Sequence, residues 1–202
     1  SFASLAEIYL ADYRQRLRIT TVERKDNIFN HKLIPYFKRL PVSQITPARV
    51  RQWQNEMISM RKPNGEPYAR TYLRAVNSEL SAFFNYAVRY YGLPANPMRA
   101  AGPMGSAKPD EMLFWTEEEY FQFIHCITAP TPYCAFNILF YTGIREGELL
   151  ALCLNDFDME KNVLHITKTF YVIRGEEYIG DPKTAKSRRD ITLPDFLCEI
   201  VK

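Results

Sequence analysis

Between Gly92 and Met112 the chain carries Pro94, Pro97, Pro103 and Pro109 together with Gly92, Gly102 and Gly105. Proline removes a backbone donor and glycine loosens the backbone, so helices stop at such a density of both. No single core is expected to run through it. The stretch therefore divides 202 residues into two modest modules. The expected boundaries are a helical module at 1–98, a linker at 99–112 and a second module at 113–202.

The first module reads as four helices. Helix-like periodicity starts near Ser4 and runs to Arg16. A second helix is expected from Thr21 to Phe37, capped by Thr20 or Thr21. Thr46-Pro47 is an N-cap followed by proline at the first helical position, and Val50, Trp53, Met57 and Met60 then form one apolar face. Lys62-Pro63-Asn64-Gly65 reads as a turn. In the fourth helix Leu73, Val76, Leu80, Phe83, Ala87 and Tyr90 recur at 3-4-3-4-3 spacing. Its other face shows Arg70, Arg74, Asn77 and Ser81, with Glu79 the one acidic residue nearby. A face of Arg, Asn and Ser suits contacts to phosphate and sugar.

Charge supports that reading. The net charge is only +3, but residues 1–105 hold 16 Lys and Arg against 7 Asp and Glu, and residues 106–202 hold 10 against 16. One module suits a polyanion and the other does not need to do so everywhere. No stretch approaches a membrane span of about 20 apolar residues, and no basic-then-apolar leader is visible near Ser1. Cys126, Cys134, Cys153 and Cys198 follow one another at spacings of 8, 19 and 45, which fits no metal-ligand pair. They are expected to be reduced core cysteines of a cytoplasmic protein. His31, His125 and His165 make no zinc pattern, so no metal site is expected.

The second module opens on Thr116-Glu117-Glu118-Glu119, a capping box. A helix is expected to about Ile127, with Pro130 and Pro132 breaking the chain. A largely buried helix is expected from Tyr133 to Tyr141, and a third from Arg145. After Asn155 the period becomes two. Val163, His165 and Thr167 alternate with Leu164, Ile166 and Lys168 as in a half-buried strand, and Arg188–Leu193 reads as the next. The module is thus helices on a small antiparallel sheet.

The most specific stretch is Tyr141-Thr142-Gly143-Ile144-Arg145-Glu146-Gly147-Glu148-Leu149-Leu150-Ala151-Leu152. Gly143 permits a sharp turn between two helices. Arg145 would project from the start of the second, where a guanidinium can donate two parallel hydrogen bonds to one phosphate. Glu148, one helical turn later, would hold it in place. This stretch closely resembles the first active-site motif of the tyrosine recombinases, the phage-integrase family (T-G-x-R-x-x-E-L-x-x-L). The order of features along the whole chain is similar to theirs.

The resemblance implies a mainly α fold with a small antiparallel sheet. A SAM-like, four-helix core-binding domain would precede the first part of an α+β catalytic domain. It implies site-specific DNA recombination or integration, for a phage or another mobile element, through a covalent 3′-phosphotyrosine. Arg145 and Glu148 would serve the catalytic site. The general acid would be a loop lysine in Pro182-Lys183-Thr184-Ala185-Lys186-Ser187-Arg188-Arg189. Lys183 matches best and Lys186 is the alternative, with Arg188 and Arg189 supporting DNA contact. The implied partners are double-stranded DNA, clamped between the two modules, and three further protomers in a homotetramer. No ATP, metal or other cofactor is implied. The family's His-x-x-Arg is not matched, because Ile34, Thr128 and Lys168 follow the three histidines. None of the 13 tyrosines is nominated as nucleophile. The expectation is a fragment that binds DNA without cutting it, with a further piece upstream such as the small arm-site-binding domain that some integrases carry. The alternative function is a non-catalytic protein that occupies recombination sites or represses transcription.

Overall fold

Ser1 opens the first helix, α1 (Phe2–Arg16), by accepting from the amide of Ser4 at 3.3 Å. The computed structural model describes residues 1–106, 108, 113–182 and 184–202. Two units are present, Ser1–Met112 and Leu113–Lys202.

In the first unit the expected second helix runs through Pro35 by changing its pitch. It comprises α2 (Ile19–Ile28), a π-helical turn (Phe29–Leu33) and α3 (Ile34–Phe37). A proline inside a regular helix clashes with the carbonyl four residues back. The wider π turn, closed by the Ile34 amide on the Phe29 carbonyl, absorbs it. The helix starts before the expected caps: Arg18 stands at the N-cap, which its side chain does not cap, and Thr20 and Thr21 lie in the first turn.

Thr46 caps α4 (Pro47–Ser59) by accepting from the Arg49 amide. Val50, Trp53 and Met57 are buried, whereas Met60 lies past the last turn and is exposed. The long α5 (Arg70–Tyr90) buries Leu73, Val76, Leu80, Phe83 and Ala87 as its spacing predicts, and Tyr90 at the frayed end is exposed. The core of the unit is aromatic: Phe2, Tyr9, Phe29, Phe37, Trp53 and Phe83 are all buried, with the Phe2 and Phe83 rings 4.6 Å apart.

Two features depart from expectation. Glu79, read as part of the wet face of α5, is buried. It is ion-paired to the buried Lys25 and accepts from Arg24 at 3.0 Å, while Lys25 also donates to the Tyr9 hydroxyl at 3.1 Å. A buried charge persists only with such partners. The linker also begins later than residue 99. Pro97–Ala101 forms α6, capped by the Asn96 side chain, and Met98, Ala101 and Met104 are buried with the first core. The prolines and glycines here set turns between packed residues.

In the second unit both bonds of the Thr116–Glu119 capping box are made, at 2.7 and 3.3 Å, opening α7 (Glu117–His125). Pro130 and Pro132 do not break the next helix. They sit in the first turn of α8 (Pro130–Thr142), where their missing amides cost nothing. Nor is α8 largely buried: only Asn137 and Ile138 are, and Tyr133, Phe136, Phe140 and Tyr141 are partly exposed. Its rings pack sideways on neighbours, as with Tyr120 against Phe140 at 3.6 Å, instead of beneath another layer.

A short α9 (Glu146–Leu150) follows. β1 (Phe157–Asp158), β2 (Val163–Ile166) and β5 (Arg189–Thr192) then form an antiparallel sheet in the order β1-β2-β5. Between β2 and β5 the chain makes a second sheet not foreseen as separate, the hairpin β3 (Thr169–Ile173) and β4 (Glu176–Gly180). Its tip is Arg174-Gly175, both at positive φ, the pattern of a type I′ turn. The unit closes with α10 (Asp195–Val201). Ile138, Ile144, Leu164, Ile166, Leu193 and Leu197 form its core. The cysteines are free but not all internal. Cys198 is buried and Cys134 half-buried, while Cys126, at the end of α7, and Cys153, beside Lys168, are exposed.

Met104→Ala should lower the stability of the first unit by about 2–5 kcal/mol, the usual range for emptying a buried methionine site. Urea unfolding followed through the buried Trp53 measures it, and an unchanged midpoint would show that this segment does not belong to the core.

Candidate active site

Thr142, Gly143 and Ile144 create the geometry around Arg145. Gly143 ends α8 in the left-handed region at φ 61°, a conformation a side chain disfavours by about 1 kcal/mol or more. Ile144 is then buried in the core of the second unit. With Ile144 turned in, Arg145 is turned out at the N-cap of α9, and its side chain is 72% exposed.

Glu148, one turn on, is almost completely buried and its two oxygens collect four donors. Oε1 accepts from Arg145 Nη1 at 2.8 Å and from Arg189 Nη1 at 3.2 Å. Oε2 accepts from the Arg145 backbone amide at 3.0 Å and from Arg189 Nη2 at 2.8 Å. Burial raises the Glu148 pKa, but the bonds from Arg189 and Arg145 outweigh it and hold the group at about 2. The cluster therefore stays ionised throughout the physiological range.

Gly147 explains the small residue in the middle of the motif. A Cβ there would lie 2.7 Å from the Phe170 carbonyl oxygen and 2.8 Å from the Thr169 hydroxyl. Only glycine lets α9 lie this close to β3.

Arg145, Lys186 and Arg189 line one pocket with Gly143, Thr184 and Ser187. Lys186 is exposed on a single 3-10 turn, Ala185–Ser187. The turn is held by the Ser187 amide on the Thr184 carbonyl at 3.0 Å and by a 2.9 Å bond between the two hydroxyls. Arg189 Nη1 also donates to the Ser187 carbonyl at 3.0 Å, so one guanidinium ties the lysine loop to α9. Three cations and two hydroxyls lining one pocket have the chemistry to hold a phosphate oxyanion. Lys183, the preferred general acid on sequence, lies outside the described residues. Arg188 does not line the pocket; it pairs with Asp181 at 2.6 Å across the base of the loop.

In the first unit the four expected DNA contacts separate. Arg70 and Arg74 are exposed. Asn77 accepts from the buried Gln54 at 2.8 Å, and Ser81 accepts from Asn96 through both its hydroxyl and its carbonyl, so both are engaged within the unit. A depression beside Arg74 is lined by Arg24, Thr71, Ala75, Ser78, Glu79 and Ser106. The polar face of α5 thus centres on Thr71, Arg74 and Ser78.

Sequence reasoning missed the pairing of Arg189 with Glu148. The available signal was strand alternation: Arg189 shares a face of β5 with the half-buried Ile191, which directs it inward.

Comparison with known proteins agrees with this architecture. Residues 1–58 match the phage integrase N-terminal SAM-like domain. Along its full length the chain is 25% identical to the ICEBs1 integrase of Bacillus subtilis, covering 54% of that protein. It is 28% identical to the integrase of Mycobacterium phage L5 over 98% of this chain and 49% of that one. A tyrosine recombinase XerC-like protein of Caldanaerobacter subterraneus is 25% identical over 81% of this chain and 44% of its own length. The chain therefore spans about half the length of the curated relatives it matches. Its fold matches a Tn1549 transposon integrase, solved in complex with a circular intermediate DNA. The TM-score there is 0.74 at 21% identity, over 99% of this chain and 63% of that one. The chain is thus similar to integrases and tyrosine recombinases along its length, and to the phage integrase N-terminal SAM-like domain over its first 58 residues.

The lowered Glu148 pKa stabilises the second unit above the ordinary value of 4.5, and that contribution is lost as pH falls towards about 2. The difference corresponds to roughly 3 kcal/mol. Glu148→Gln should lower stability at pH 7 by about that amount and flatten the acid dependence between these limits. Thermal melts at pH 7 and near pH 3 test this; a variant as acid-sensitive as the parent chain refutes it.

Proposed function

We propose that the protein acts in site-specific DNA recombination or integration, with Arg145 gripping the scissile phosphate. The observation that carries this reading is the juxtaposition of the exposed Arg145, anchored by Glu148, with Lys186 and two hydroxyls in one pocket. Phosphoryl transfer adds charge to the non-bridging oxygens, and a fixed guanidinium stabilises that charge without reorganising. A loop lysine, Lys183 or Lys186, would protonate the departing 5′ oxygen. A tyrosine would attack the phosphorus to give a 3′-phosphotyrosine, which keeps the bond energy for rejoining, so no nucleotide cofactor is needed.

No tyrosine is among the described residues lining the pocket. Tyr171 and Tyr178 face each other across β3 and β4 with rings 5.7 Å apart. We therefore assign the nucleophile to none of these 202 residues, and expect them, tested alone, to bind duplex DNA without cutting it. The first unit would hold the sugar-phosphate backbone through Arg70 and Arg74, with Arg24 beside them. That DNA-bound relatives share the fold supports duplex DNA as the partner. Four protomers acting on two sites complete the proposed reaction.

Fluorescence anisotropy with a labelled duplex, in rising salt, tests the binding. Affinity should fall steeply between about 50 and 200 mM salt, and Arg74→Ala should lower the log–log slope by about 1. Salt-independent binding would overturn the reading.

A further inference from the structure

We propose that Arg189 is a positioning residue that keeps Arg145 available for phosphate by occupying the carboxylate of Glu148. The inference rests on the recombinase reading of the pocket and gives Arg189 a role other than the DNA contact the resemblance implies.

A carboxylate offers about four acceptor positions, and an arginine beside a lone carboxylate closes on it with two parallel hydrogen bonds. Such an Arg145 would spend its fork, and its charge, on Glu148. The structure shows the opposite distribution. Arg189 takes the two-pronged place, with Nη1 on Oε1 at 3.2 Å and Nη2 on Oε2 at 2.8 Å. Arg145 is left with one side-chain bond, Nη1 to Oε1 at 2.8 Å, while its backbone amide fills the remaining position on Oε2.

The exposures follow the same division. The Arg145 side chain is 72% exposed, that of Arg189 31% and that of Glu148 3%. Two arginines and one carboxylate leave a net charge of +1, and it resides on the exposed guanidinium. Arg189 also donates to the Ser187 carbonyl, so the group that restrains Glu148 fixes the turn carrying Lys186.

The roles are therefore distinct. Arg145 meets the phosphate, Glu148 holds Arg145, and Arg189 stops Glu148 from holding it too completely. A merely structural Arg189 would cross-link β5 to α9 and nothing more.

The test is duplex binding by the full chain, read by anisotropy with a fluorescein-labelled DNA at low salt. Side-chain Nε–Hε NMR signals of Arg145 are recorded in parallel. Arg189→Met should weaken binding roughly 10-fold, about the effect of losing one well-placed phosphate contact. It should also move the Arg145 signal as that side chain closes on Glu148. Arg189→Lys, which restores the charge without the fork, should recover part of the affinity.

The decisive variant is the double change Glu148→Gln with Arg189→Met. With the carboxylate gone Arg145 is no longer captured, so binding should rise above that of Arg189→Met alone. A structural cross-link predicts no such recovery. Should Arg189→Met not fold, the comparison of Arg189→Lys with and without Glu148→Gln decides by the same criterion. If Arg145→Ala weakens binding and Arg189→Met does not, the positioning role is overturned and the recombinase reading stands. If Arg145→Ala leaves binding unchanged, the reading of the pocket fails and this inference falls with it.

Discussion

The second unit is organised around one buried carboxylate. Glu148 sits on a five-residue helix too short to stabilise itself. It draws together the amide that opens α9, the arginine beside that amide, and an arginine 41 residues later on β5. An ionised group sealed from water is tolerated only when its lone pairs are filled, and here they are. The motif is therefore as much a folding device as a chemical one. The group that orients the exposed guanidinium also fastens the last strand of the sheet to the helix that carries it.

Much of this was legible because local rules act over a few residues. Thr46-Pro47 and Thr116–Glu119 announced helix starts, and the 3-4-3-4-3 stripe of α5 named its buried face. The turn at Gly143 in the arginine motif, with its positive φ, is legible in the same way. What was not legible depends on partners distant in the chain. Glu79 looked like a surface residue until Lys25, 54 positions earlier, was found against it. Gly147 had no evident purpose, because Phe170 had not been placed beside it. Asn77 and Ser81 had the spacing of a binding face, yet Gln54 and Asn96 reach them from α4 and from the cap of α6.

Proline and glycine misled in a consistent way. They were read as interruptions, at Pro97, at Pro103 and at Pro130. At Pro97 and Pro130 the chain uses proline's restricted φ to start a helix, and beside Pro97 and Pro103 the residues Met98 and Met104 stay packed. Pro35 shows the reverse economy: the helix stays continuous by widening one turn. Composition reports where backbone amides are missing, and whether the chain leaves the core there depends on the apolar residues beside them, such as Met98 and Met104.

The ladder between β2 and β5 has a consequence for the hairpin β3–β4. Ile166 is paired directly with Arg189, so everything from Thr167 to Arg188 leaves the sheet and returns to the same rung. Topologically that segment is an excursion closed at its base, and lengthening such a loop costs little free energy once the ends are fixed. The outer part of the hairpin can therefore diverge in size and sequence from one homologue to another. The alignment of β5 with α9 is set at the rung, upstream of any such variation.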